Sequence, residues 1–217
     1  MEVYDLLVIG SGPAGEKAAA LAAYFGKRVA VVDKRQRLGG APVNRGGIPT
    51  KTLRETALYL TSFRRRDVYG VGFQLAPDLA LERLRARAAQ VSETMGTEVR
   101  RNLEGLDVTT IHGSARLQPD RKVAIDTDSG VRVVTADVVL IATGSSPFRP
   151  PSIPFDDPDV FDSDTILDID STPDSLVVIG GGPVGCEYAS IFAALGVEVT
   201  VIDGAPRLLG AMDREIS

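Results

Sequence analysis

The 217 residues hold one cysteine, one histidine and no tryptophan. A single cysteine excludes a disulfide framework, and one cysteine with one histidine excludes a His/Cys zinc cage, so no metal site is expected. A Ser-His-Asp triad would need His112 as its base. Beside Gly113, that histidine reads instead as a strand-end residue, on the surface or with its bonds satisfied. Positive charge is not in excess either: 24 Lys+Arg against 29 Asp+Glu leave a net charge of -5. Nothing then supplies the counter-charge for a phosphate backbone, and nucleic acid is not an expected partner. Long apolar runs are also missing. The first, Leu6 to Gly10, is too short for a signal h-region or a membrane span, and Met1-Glu2-Val3-Tyr4-Asp5 is no basic n-region. The expected location is the cytoplasm, away from any membrane. Disorder does not fit 44% hydrophobic residues with so small a net charge.

What the chain does have is a repeat. Leu7-Val8-Ile9-Gly10-Ser11-Gly12-Pro13-Ala14-Gly15 returns as Val177-Val178-Ile179-Gly180-Gly181-Gly182-Pro183-Val184-Gly185, offset by 170. At the same offset Gly26 meets Gly196, Val29 meets Val199, Val31 meets Val201 and Asp33 meets Asp203. Each copy reads strand, glycine turn, helix, strand, acid. Of the three glycines, the first makes the sharp turn, the second admits a pyrophosphate to the backbone, and the third lets helix pack on strand. The helix from Pro13 to about Tyr24 would aim its N-terminal N–H groups at the phosphates, and Gly26 would end it in the left-handed conformation. Asp33, 18 residues after Gly15, ends the second strand where an adenosine ribose offers its hydroxyls. A lone glycine pattern also fits a tight turn in any α/β protein. Two complete copies point to two dinucleotides, naturally a flavin and a nicotinamide.

Between the copies, helical spacing predicts a helix from Thr50 to about Phe63 after a loop. A longer one, from about Leu79 to Leu103, carries a core stripe of Leu81, Leu84, Ala88, Val91, Met95 and Val99. Arg64-Arg65-Arg66 reads as a solvated helix end. Strands are predicted at Asp107–Ile111, Lys122–Ile125, Val131–Val134 and Val138–Ile141, with a hairpin turn at Asp128-Ser129-Gly130. Five prolines then fall between Pro147 and Pro158 and mark a connector. The expected organisation is a dinucleotide domain over 1–146, a proline-rich connector over 147–174, and a second domain over 175–217. The last stretch holds one β-α-β unit, fewer strands than a doubly wound sheet needs, so that domain is expected to be truncated.

Residues 38–51, Leu-Gly-Gly-Ala-Pro-Val-Asn-Arg-Gly-Gly-Ile-Pro-Thr-Lys, resemble the active-site segment of the pyridine nucleotide-disulfide oxidoreductases, Gly-Gly-Thr-Cys-x-Asn-x-Gly-Cys-x-Pro-Ser-Lys. Ala142-Thr143-Gly144 resembles that family's flavin-domain segment, and Ser163-Asp164 its entry to the nicotinamide domain. Gly185-Cys186-Glu187-Tyr188-Ala189-Ser190-Ile191-Phe192 and Arg207-Leu208-Leu209 are similar to the family's soluble transhydrogenase branch. The likeness runs the whole chain and corresponds to roughly the N-terminal half of a typical member. Two departures stand out. Pro42 and Gly47 occupy the positions of the two redox cysteines. Cys186 reads as a small buried hydrophobe rather than a reactive thiol.

The resemblance implies an α/β fold: an FAD-binding Rossmann-like domain with a parallel sheet and a β-meander, then the start of an NAD(P)-binding Rossmann-like domain. It implies FAD on Gly10, Gly12, Gly15, Asp33, Gly39 and Gly40, with Gly113-Ser114-Ala115 at the adenine and Thr143 and Gly144 closing over. It implies Lys51 beside flavin N5 and Glu187 as its partner. On composition alone these would be a solvated lysine and an exposed glutamate. NAD(H) and NADP(H) would bind through Gly180, Gly182 and Gly185. Asp203 suits a free 2′-hydroxyl and repels a 2′-phosphate, and Arg207 is placed to moderate that repulsion. Without a dithiol, the implied activity is hydride transfer from NADPH through FAD to NAD. An NAD(P)H oxidase or diaphorase, or a non-catalytic dinucleotide-binding fragment, stays open as an alternative. Full-length members of the family are expected to be homodimers.

Overall fold

In the computed structural model, residues 2–64 and 77–217 are described. The side chains of the basic run Arg64-Arg65-Arg66 lie outside the described residues. Residues Met1–Asn44 with Ser92–Ser146 make one compact unit, and Arg45–Val91 with Pro147–Ser217 make another.

In the first unit, β1 (Glu2–Ile9) leads through a glycine turn into α1 (Pro13–Tyr24) and returns as β2 (Val29–Asp33). Proline sits in the first turn of α1, where its missing N–H costs nothing. Adjacent residues of β1 serve opposite faces of the sheet. Leu7 packs with Tyr4, Ala30 and Val32, whereas Val8 packs with Ala19, Val29 and Val31. Burial on both faces is why these strands read as unbroken apolar runs rather than as alternation. The sheet has six strands, ordered β3-β2-β1-β6-β5-β4. β3 (Thr109–His112), β2, β1 and β6 (Gly130–Ile141) are parallel neighbours. β4 (Ser114–Gln118) and β5 (Lys122–Thr127) add an antiparallel meander.

Three differences from the expected elements have physical reasons. The strands expected at Val131–Val134 and Val138–Ile141 are one strand, β6, which pairs with β5 over Gly130 to Thr135 and with β1 from Val134 to Ile141. Strand β4 was not expected. Most of its side chains are exposed, so no apolar alternation announces it. The loop after Gly40 contains a short helix, α2 (Gly40–Asn44), tied down by Asn44 Nδ2, which donates to Gly40 O at 2.9 Å and Arg37 O at 3.2 Å.

α3 (Ile48–Arg64) and the first turns of α4 (Pro77–Glu104) belong to the second unit. Its core joins Leu53 and Ala57 of α3, Leu81, Leu84 and Ala88 of α4, and Tyr188, Ile191, Phe192 and Leu195 of α5 (Pro183–Leu195). Ile166, in a 3-10 turn at Thr165–Asp168, joins it with Ile169 and Val197. β7 (Ser175–Ile179) and β8 (Glu198–Ile202) pair in parallel around α5. The apolar stripe of α4 shifts along its length. Where Val91 and Met95 were expected, Ser92 and Gly96 are buried instead, and Val99 and Leu103 then resume. Gly96 has to be small, because a Cβ there would lie 2.5 Å from Arg37 Cγ. No described helix is long and apolar enough to cross a membrane.

Candidate functional site

The first turn is built by backbone contacts. Gly10 N donates to Val32 O at 2.8 Å and Ala142 N to Ile9 O at 2.8 Å, which brings the ends of β1, β2 and β6 together. Gly10 has φ +107°, and an added Cβ would overlap Ala142 O, so this position requires glycine twice over. At Gly15 the reason is approach alone, since a Cβ would fall on Gly10 O. At Gly12, the start of α1, an added Cβ would meet only Gly40 Cα, at 3.8 Å, so no side chain closes the opening on that side of the helix start. Helix starts leave N–H groups without intrahelical partners and carry positive dipole charge, so this opening suits a pyrophosphate. Gly39 and Gly40 stand beside it, and Thr143 adjoins Gly10. Asp33 O accepts the Gly113 N–H at 2.9 Å, which fixes the start of the Gly113-Ser114-Ala115 segment beside the carboxylate. The residues present therefore fit the phosphate and ribose groups of FAD.

A residue not singled out from the sequence ties this turn together. Ser11 is fully buried. Its N–H and its hydroxyl both donate to Asp33 Oδ2, at 2.8 and 2.6 Å, and its Oγ accepts the Gly39 N–H at 3.0 Å. Asp33 Oδ1 accepts Arg35 N–H at 2.9 Å.

The second turn repeats the plan. Gly180, at φ +112°, donates to Ile202 O at 2.8 Å, and a Cβ on Gly185 would fall on Gly180 O. Asp203 accepts from the N–H groups of Gly181 and Ala205. Those bonds, Ala205 first, hold its carboxyl below the usual carboxylate range. Arg207 lies four residues after Asp203. Its Nη2 turns to Gly210 O at 3.3 Å, because the chain folds back here and Leu209 N–H bonds Gly181 O at 2.7 Å. Cys186 Sγ also donates to Gly181 O, at 3.3 Å, and its thiol is partly buried.

Within the second unit, α3 and α5 bring Lys51 to Glu187. Lys51 Nζ lies 2.7 Å from Oε1 and 2.9 Å from Oε2. The lysine side chain is 62% exposed and the glutamate 19%. Next to Glu187, Tyr188 donates its hydroxyl to Ser163 O at 2.9 Å. Burial, together with the charges of Glu187, Asp164 and Asp162, pushes its phenol up. Asp162 accepts N–H groups from Asp164 and Thr165 and the Arg149 guanidinium at 2.7 Å. Burial works to raise its carboxyl, but the bonds from Thr165, Arg149 and Asp164 outweigh it and the net shift is downward.

His112, the only histidine, contacts Lys34 O through Nε2 at 3.1 Å and Asp128 through Nδ1 at 3.4 Å, at the end of β3. Among the described residues no cluster of His, Cys, Asp or Glu is arranged to hold a metal ion.

The family model described as pyridine nucleotide-disulphide oxidoreductase matches residues 4–217. A soluble pyridine nucleotide transhydrogenase of Mycobacterium bovis is 43% identical over the whole chain, which covers 47% of that protein. One from Pseudomonas paraeruginosa is 41% identical over 99% of the chain and 46% of its own length. Among solved structures, the Cu(II) complex of the HOCl-induced flavoprotein disulfide reductase RclA from Escherichia coli superimposes with a TM-score of 0.83 at 30% identity. That match covers all of this chain and 46% of that one. The chain spans about half the length of the curated relatives it matches. Its fold is that of an FAD-binding Rossmann-like domain followed by the beginning of a second, nucleotide-binding one. The chain belongs to the pyridine nucleotide-disulphide oxidoreductase family.

Proposed function

We propose that this chain forms the dinucleotide-binding part of an FAD-dependent oxidoreductase that moves hydride between NADPH and NAD without a dithiol. The observation that carries this reading is the pair Pro42 and Gly47 at the cysteine positions of the family motif, in a chain whose one thiol, Cys186, is bonded within the second turn. A dithiol relay needs two thiols exchanging with a substrate disulfide. Two dinucleotide turns without that relay leave a nicotinamide as the natural electron acceptor, and relatives named as transhydrogenases support this choice.

Gly10, Gly12, Gly15, Gly39 and Gly40 would hold the FAD pyrophosphate, Asp33 the ribose and Ala115 the adenine end, and Thr143 and Gly144 would close over the cofactor. Bound FAD would supply a ring position that accepts and releases hydride. The Lys51 ammonium would offer a positive charge that favours electron density entering that ring, with Glu187 as its ion-pair partner. Gly180, Gly182 and Gly185 would hold the nicotinamide dinucleotide, with Asp203 at its ribose. A homodimer and a cytoplasmic location belong to the same reading.

The test is hydride exchange. FAD-loaded protein is mixed with NADPH and a spectrally distinct NAD analogue, and reduction of the analogue is followed. Exchange that falls roughly 100-fold or more in Lys51→Met, the order expected for losing a preorganised charge, supports the reading. No exchange, together with rapid oxygen uptake on NADH alone, overturns it in favour of an oxidase.

A further inference from the structure

A ring of contacts closes within the second unit. Lys51 Nζ meets both Glu187 oxygens. Tyr188, next in α5, donates to Ser163 O at 2.9 Å. Asp164, next in the chain, meets Arg45 Nη1 at 2.8 Å. Arg45 is followed by Gly46 and Gly47, whose carbonyls accept from Thr50 Oγ1 at 3.0 and 3.1 Å. Gly47 O also accepts the Lys51 N–H at 3.1 Å, which brings the ring back to its start.

The members differ in what they can fix. Lysine carries its charge on a flexible four-carbon stem, and an exposed ion pair sets geometry weakly. The Lys51 side chain is mostly exposed, whereas Arg45 is 16% and Asp164 24% exposed, so their attraction is less screened. Asp164 is itself well placed, because Asp162 binds its N–H and that of Thr165 while Arg149 holds Asp162. Rigidity therefore resides on the Arg45–Asp164 side of the ring. With Pro42 and Gly47 at the cysteine positions, no covalent link can brace the approach to α3.

We propose that the Arg45–Asp164 ion pair and the Tyr188 hydroxyl are positioning groups for the Lys51 ammonium, a non-covalent brace on the segment that carries a dithiol in the family motif. The proposal rests on reading Lys51 as the cation that serves the flavin. Positioning itself can be read without flavin.

The chain has five lysines, Lys17, Lys27, Lys34, Lys51 and Lys122, so reductive methylation with 13C-formaldehyde gives few resonances besides that of the amino terminus. Lys51→Arg assigns the Lys51 signal, and Glu187→Gln gives its unpaired position. Asp164→Asn is expected to shift the Lys51 signal toward that unpaired position and leave the other four in place. Tyr188→Phe, which removes one hydroxyl, should shift it the same way by less. The reversed pair, Arg45→Asp with Asp164→Arg, should return it. A Lys51 signal unmoved in both Asp164→Asn and Tyr188→Phe overturns the proposal. If Asp164→Asn does not fold, Tyr188→Phe alone decides by the same signal. Hydride exchange by Lys51→Met tests the flavin reading separately.

Discussion

Ser11 and Asp33, 22 residues apart, are joined by two hydrogen bonds that end on a single oxygen, Asp33 Oδ2. The carboxylate that ends β2 is thereby aimed by the turn itself, and the Gly39 N–H is bound to the same hydroxyl. Replacing Ser11 with alanine would strip Asp33 of one donor and leave the Gly39 N–H without its acceptor. A loss of about 1–3 kcal/mol is expected, the usual cost of a buried polar group left unsatisfied. Urea unfolding measures it, and flavin retained through gel filtration should fall in the same variant. Unchanged retention would mean that the aim of Asp33 does not matter to binding.

Gly15→Ala drives a Cβ into the backbone oxygen of Gly10, with Val8 Cγ1 only 3.0 Å away, so there is no room to yield. The expected cost is on the order of 4 kcal/mol or more, in the range of mutations that unfold a domain. Gly204→Ala, where an added Cβ meets nothing within 4 Å, should stay within about 0.5 kcal/mol of the parent. Thermal melts of the two variants side by side check this.

Asp162 sets an acid limit on the second unit. Its carboxyl is shifted down in the folded state, so it binds protons more readily unfolded than folded. Its contribution is present above the ordinary value of 3.8 and disappears as pH falls through the lower folded value. Stability against urea should therefore drop below about pH 4, and Asp162→Asn should flatten that part of the profile. A variant as acid-sensitive as the parent would assign the drop to other carboxylates.

Asp203 bears on the choice of nicotinamide. Its carboxyl is held below the usual range by the Ala205 and Gly181 N–H groups, and Arg207 Nη2 donates to Gly210 O. Asp203→Asn should reduce any preference for NAD over NADP by up to about tenfold, since it removes a like charge from beside a 2′-phosphate. Competition binding with the two dinucleotides measures it. An unchanged ratio would mean that discrimination lies elsewhere.

Local signals made much of the fold legible. The helix Pro13–Tyr24 follows from proline after a glycine turn and from Gly26, whose φ of +75° ends it. The turn at Asp128–Ser129 is where β5 meets β6. Elements without an apolar pattern were hidden: β4 because it is exposed, and the Ser92 and Gly96 part of the α4 stripe because neither side chain is apolar. At the site, both glycine turns could be read directly from spacing. Lys51 and Glu187 lie 136 residues apart, and only the resemblance joined them in advance. Nothing in the residue type of Ser11 signals that its hydroxyl is buried against Asp33. The Arg45–Asp164 contact had no sequence signal at all.

The two glycine turns share a skeleton yet have parted ways at one position. Where the first carries Ser11, the second carries Gly181, and a Cβ placed on Gly181 would lie 2.5 Å from Leu208 Cδ2. Leucine fills in the second copy the room that a hydroxyl uses in the first. The copies are therefore no longer spare parts for one another. Grafting the first motif onto the second would require the Leu208 side chain to turn aside and would place a serine hydroxyl next to Asp203.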